Sequence, residues 1–236
     1  MIYRFLLLSY CCLYTVVASS VAQAQAIDHV DATFSVALNN KQTEGKNRLK
    51  ISQDNGHYHI DFGLDHWLLT VSQEASFDMD DCQVRPLDFT DVTKRPFKDK
   101  KTQKLTFDWD DKVAHYRSPD KKKDFDLDSV MYDPISLFFE GRCEVMAGNK
   151  EFSYPVIRKG SKKTQKFKVV DKQPVETGQG TYDAWVVERV RKNKKRQTRL
   201  YVAPELDYLL VRIEHQESKL LKIVATLEEM SYELVD

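Results

Sequence analysis

From Val30 onward the apolar residues of this chain fall on every second position. That period-two alternation confines it to antiparallel sheet with one buried and one wet face. Val30, Ala32, Phe34, Val36 and Leu38 share one side, while Asp31, Thr33 and Ser35 take the other. Leu49 and Ile51, then Tyr58, Ile60, Phe62 and Leu64, repeat the pattern across Gln53-Asp54-Asn55-Gly56. Asn-Gly there tolerates the positive φ of a two-residue hairpin. Trp67–Phe77 and Val84–Val92 continue the ribbon, as do Leu105–Trp109 and Val113–Arg117. Thr93–Gln103 and Ser118–Asp126 interrupt it with charge and read as loops. The most regular stretch is Thr164–Tyr232, with strands expected at Lys166–Val170, Thr181–Val190, Arg199–Ala203, Tyr208–Gln216 and Leu220–Met230.

One segment changes period. Asp133-Pro134 supplies an N-cap and a proline at the first helical position. Ile135, Leu137, Phe138, Phe139, Val145 and Met146 give an apolar side, and Gly148-Asn149 stops the helix. About eleven strands and one substantial helix predict a mainly β fold. Its expected form is a strongly curved antiparallel sheet, a half-barrel or barrel-like meander, with the helix packed on it. Such a sheet encloses an apolar cavity, and Phe34, Phe62, Trp67, Phe138, Phe139 and Trp185 are the candidates to line it. Each also fits a plain core position.

Residues 1–24 read as a signal peptide. Arg4 is the only charge before Asp28, Phe5–Val17 is the apolar core, and Ala22-Gln23-Ala24 is a small-residue cleavage site. The apolar run is shorter than the roughly 20 residues a spanning helix needs, and no later run is long enough. Residues 25–236 therefore read as a single β-rich domain of an exported, periplasmic protein. Cys11 and Cys12 leave with the signal, and Cys82 and Cys143 remain. An even pair in an oxidising compartment predicts a disulfide, which would contribute roughly 4 kcal/mol in the chain-entropy model, less any strain. Two free thiols are the alternative.

The whole chain has 36 basic and 36 acidic residues, so no net charge draws it to nucleic acid. Charge is dense in one place, the tip formed by Arg191, Lys192, Lys194, Lys195 and Arg196, with Arg158, Lys159, Lys162 and Lys163 in the loop before it. In an exported protein that tip suits lipid headgroups, lipopolysaccharide or an acidic protein surface, or it only solubilises a hairpin. No aromatics are interleaved there, which argues against single-stranded nucleic acid. His57-x-His59, with His66 nearby, shares the polar face of a strand and lacks the further ligands of a tetrahedral site. The acidic groups at 78–81, 108–111 and 124–128 do not match a calcium loop. Nucleophile-elbow, zincin, phosphate-loop and dinucleotide motifs are absent from the sequence. The expectation is a protein without metal, cofactor or catalytic site.

Several stretches taken together carry a family likeness. They are Phe34…Gly45, Ser76-Phe77…Arg85-Pro86-Leu87-Asp88-Phe89, Asp133-Pro134-Ile135-Ser136-Leu137, Glu176–Ala184, and the hairpin Leu200–Pro204…Tyr208–Ile213. In these the chain resembles the domain-of-unknown-function 3108 family of exported bacterial proteins. Tyr201 stands where similar proteins usually have Trp, and Leu210 where they tend to have Pro. The resemblance implies an exported β protein and assigns no activity. The same hairpin is similar, more distantly, to the late strands of lipoprotein-localisation carriers, half-barrels with helices in the concave face that carry acyl chains. The expected role is a non-enzymatic envelope protein that binds an apolar or amphipathic, lipid-like ligand in its curved sheet. An interaction module for another envelope protein, using a sheet edge or the basic tip, is the alternative.

Overall fold

The computed structural model describes residues 26–66, 69–193 and 195–235. The expected signal segment, Trp67 and Lys194 lie outside them. The described chain forms one antiparallel sheet of fourteen strands and one α-helix. The first eight strands are β1 (Ile27–Leu38), β2 (Lys41–Asp54), β3 (His57–His66), β4 (Leu69–Asp80), β5 (Gln83–Arg95), β6 (Lys98–Asp108), β7 (Val113–Ser118) and β8 (Lys121–Asp126). The helix α1 (Ser136–Met146) follows, and then β9 (Glu151–Arg158), β10 (Ser161–Thr177), β11 (Gly180–Val190), β12 (Gln197–Ala203), β13 (Leu209–Ser218) and β14 (Leu221–Leu234).

The strand order is β8 down to β1, then β14 down to β9. The first and last strands therefore pair at the middle of the sheet, with Phe34 opposite Leu227. The two edge strands, β8 and β9, are neighbours in sequence, and α1 lies in the connection between them. The sheet is not closed, but it curves until its edges approach. Tyr132, just before α1, makes an isolated parallel bridge to Val156 of β9. Lys121 Nζ on β8 donates to the carbonyl of Gly160 in the β9–β10 turn. A Cβ on Gly160 would fall 2.8 Å from the Tyr116 ring, so glycine permits this approach.

The sheet has more strands than the expected eleven, and the charged interruptions are extended chain instead of loops. The one at 93–103 is taken up by β5 running on to Arg95 and β6 starting at Lys98, and the one at 118–126 holds an added strand, β8, which the lysine run 121–123 opens. Near a sheet edge both faces are wet, so no hydrophobic alternation is needed, and lysines protect the edge from pairing with other chains. The hairpin turns follow their local chemistry. Asn39-Asn40, Asn55-Gly56 and Asp81-Cys82 all hold positive φ at both central positions, the geometry that matches strand twist.

The helix begins slightly later than Asp133-Pro134 suggests. Asp133 is fully buried, accepts the backbone N–H groups of Ile135 and Ser136 at 2.7 and 3.0 Å, and binds the Ser136 hydroxyl. It thus caps the turn that leads into α1. At the other end Gly148 takes φ +80°, and the Asn149 N–H bonds back to the Glu144 carbonyl. The disulfide Cys82–Cys143 is present and fixes α1 to the β4–β5 turn. Beside it Phe139 packs against Tyr58 and Phe77, whose rings stack at 5.2 Å. Across the molecule Arg142 reaches the turn before β13. The helix thus spans one mouth of the curved sheet.

The alternation of hairpins places successive turns at opposite rims. The rim away from α1 carries Lys94, Arg95, Lys98 and Lys100 at the β5–β6 tip, and the lysines 121–123 beside the β7–β8 turn. It continues through Arg158, Lys159, Lys162 and Lys163 and through Arg191, Lys192, Lys195 and Arg196. The rim plugged by α1 carries Asp80-Asp81, Asp108, Asp110-Asp111 and Glu205…Asp207. Basic residues outnumber Asp99 and Asp120 at the first rim and acidic residues outnumber Lys112 at the second, so the charge of this balanced chain is unevenly spread along its sheet axis.

Candidate ligand cavity

Between α1 and the concave face of β9–β12 lies a cavity of about 250 Å³. Its apolar part is made by Leu137, Phe138 and Val145 of the helix and by Phe167, Val187 and Leu200 of the sheet. Alternation explains the sheet side. Phe167, Val187 and Leu200 occupy inward positions of adjacent strands, with Val187 opposite Leu200. Gly141 leaves room on the helix face for the Phe152 ring, 3.2 Å from where its Cβ would be.

The other end of the cavity is cationic. Arg158 is the last residue of β9, Arg189 is next to the last of β11, and Thr198 is the second of β12. All three therefore lie toward the basic rim. Arg189 is half-buried opposite Phe167 and, among the described residues, has no hydrogen bond and no carboxylate partner. Burial, with Arg191 and Arg158 adding like charge, lowers its guanidinium pKa to about 10. Arg191 turns inward from the hairpin tip and donates to Thr198 Oγ1, which also meets His215 Nδ1 at 2.9 Å. His215 Nε2 in turn contacts Glu217, and Glu217 pairs with Arg196. Glu217 thus pairs with Arg196 and lies near Arg191, while Arg189 stays outside its reach. Burial is the main cause holding His215 below its ordinary pKa.

The expected lining residues divide. Phe138 lines this cavity, whereas Phe139 belongs to the aromatic cluster with Tyr58 and Phe77. Phe34 borders a broad open furrow, about 1020 Å³, between β1, β2 and the β10–β11 turn. Phe62 is half-buried on β3 and does not line the cavity. Trp185 sits beneath Lys150 and Lys172, 4.3 and 5.7 Å from its ring centre. Of the basic tip, Arg191 and Arg196 enter the polar network while Lys192 and Lys195 stay exposed. Arg189 escapes a reading by composition. The available signal is its position two residues after Val187, an inward slot occupied by a charge.

A second group of titratable residues lies between α1 and β9. Glu140 accepts the Val84 N–H at 3.3 Å, and burial raises its carboxyl pKa. The Tyr154 hydroxyl donates to Glu144, and burial raises the pKa of Tyr154 and of Tyr132. These contacts fasten the helix to both flanking strands. Among the described residues no three His, Cys, Asp or Glu side chains converge as for a metal ion. No helix among them is long and apolar enough to cross a membrane.

The model of the family "Protein of unknown function (DUF3108)" matches residues 20–225. No curated protein matches the chain. Among solved structures, a β-barrel-like protein of the domain of unknown function DUF1849 from Brucella abortus superposes with a TM-score of 0.59 at 10% identity. The match covers 89% of this chain and 99% of that one, so the two share a fold. A candidate lipoprotein from Parabacteroides distasonis gives a TM-score of 0.33 at 10% identity, over 86% of this chain and 95% of that one.

Proposed function

This chain belongs to the DUF3108 family, whose function is unknown, and from that premise we propose that it is a non-enzymatic periplasmic binding protein for an anionic amphiphile. One observation carries the reading. The cavity joins an apolar floor of Leu137, Phe138, Val145 and Leu200 to the uncompensated, half-buried guanidinium of Arg189. A buried cation without a counter-ion is costly, and an anionic headgroup would relieve that cost while its chain displaces water from the apolar part. The volume of about 250 Å³ falls just below the roughly 300 Å³ at which ligand pockets commonly begin. It suits one short chain or a chain segment, not a whole phospholipid. The disulfide fits an oxidising compartment.

The test is displacement of a fluorescent fatty acid from the purified protein. Saturable binding by the carboxylate form, weakened by Arg189→Gln and by Leu200→Glu and much weaker for the methyl ester, supports the reading. A protein that binds neither form, or binds both equally without regard to Arg189, rules it out.

A further inference from the structure

We propose that the basic rim is a docking face for an anionic lipid surface, with Phe97 as the residue that enters it. The observations are separate from the cavity. Phe97 forms the β5–β6 tip with Pro96 and is completely exposed, with no packing partner among the described residues to justify an aromatic ring. Its φ is +57°. Proline followed by positive φ is type II turn geometry, whose second position favours glycine or asparagine. A phenylalanine there accepts backbone strain and gains no burial within the chain, and strain of that kind collects at functional positions.

The surroundings define the partner. Lys94, Arg95, Lys98 and Lys100 flank the ring and outnumber the neighbouring Asp65 and Asp99. At the β13–β14 tip of the same rim, Leu220 is 86% exposed between Lys219 and Lys222. Apolar tips set among cations match an anionic bilayer, where the rings and alkyl groups enter the headgroup layer and the cations meet lipid charge. The acidic opposite rim is repelled by the same surface. The molecule therefore docks in one orientation, with its sheet axis upright and α1 facing away. An acidic protein would satisfy the lysines but leaves Phe97 unexplained.

The experiment is co-sedimentation of the purified protein with phosphatidylcholine vesicles that do or do not contain phosphatidylglycerol. Binding is expected only with the anionic lipid, and added salt should weaken it. Phe97→Gly places the preferred residue in the turn, so thermal stability should be kept or raised while vesicle affinity falls about tenfold. Lys94→Glu/Lys98→Glu/Lys100→Glu should cost on the order of a hundredfold. Asp110→Ser/Asp111→Ser on the opposite rim should leave affinity unchanged. The proposal is overturned if the vesicles are not bound, if both compositions bind equally, or if Phe97→Gly binds as well as the parent. Heparin binding without vesicle binding would assign the rim to a soluble polyanion and overturn it too. None of these outcomes depends on fatty-acid displacement, so the rim and the cavity stand or fall separately.

Discussion

Arg142 of α1 donates its Nε–H to the backbone carbonyl of Asp207, 2.6 Å away, in the turn that leads into β13. The Arg142 side chain is almost fully buried. Burial is the first cause lowering its pKa, although the nearby Asp207 charge acts in the opposite direction. A buried charge is held in such a place only where its hydrogen bonds are met. Arg142→Met keeps the length of the side chain and removes the bond. It should lower stability by about 1.5–3 kcal/mol, the range for hydrogen bonds to charged groups, in a urea titration. An unchanged midpoint would show that the helix needs no anchor on that side.

The opposite anchor is covalent. Cys82 and Cys143, with Cα atoms 5.8 Å apart, close the connection between the β4–β5 turn and the helix. Cys82→Ser should lower stability by about 2–4 kcal/mol, and reduction of the parent protein should match that loss. Peptide mapping under non-reducing conditions should recover the Cys82–Cys143 pair. Two free thiols in protein purified without reductant would contradict the bond.

Arg189 should behave in the reverse manner. It has no carboxylate partner among the described residues, so Arg189→Met replaces a half-buried charge with an apolar chain of similar length. Tm is expected to stay level or rise while fatty-acid affinity falls, the usual trade between stability and a binding site. A Tm several degrees lower would mean that the guanidinium is structural.

His215 predicts a pH dependence. Its folded-state pKa is lowered, chiefly by burial, while its Glu217 contact acts against the shift. Above the unfolded value of about 6.5 the ring is neutral in both states and costs nothing. As pH falls below that value the unfolded chain takes up the proton first, so stability declines toward the folded-state pKa. As the pH falls below about 6.5 the parent should therefore lose Tm faster than His215→Gln. Parallel curves would show that Glu217 fully offsets the arginines around the ring.

The architecture was legible wherever burial is one-sided. Val30 to Leu38 and Tyr58 to Leu64 announce strands because one face must meet the core, and Asn55-Gly56 announces its turn through backbone geometry alone. The helix was visible through Pro134 and Gly148. The strands at 98–104 and 121–126 were not, since residues wet on both faces carry no periodic signal. The likeness of the quoted stretches to a family agreed with its model over residues 20–225. For the site, Phe138 was readable and Arg189 was not. A cation on an inward position becomes informative only when the neighbouring strands show that no anion faces it. The polarity of the two rims was equally hidden, because hairpin turns that are far apart in sequence become one surface only through the strand order.

That order has a consequence for how the molecule assembles. Of the described strands β1 emerges first during synthesis, yet one of its two neighbours is β14, the last of them. Until β14 arrives, the chain is two separate meanders, each with a bare edge in what becomes the middle of the sheet. Such edges invite pairing with other chains, and contacts across nearly the whole length form slowly. Removal of the segment from 221 onward should therefore leave a sticky pair of half-sheets instead of a slightly smaller barrel. The final strand works as the clasp, and a molecule that lacks it has nothing to fasten.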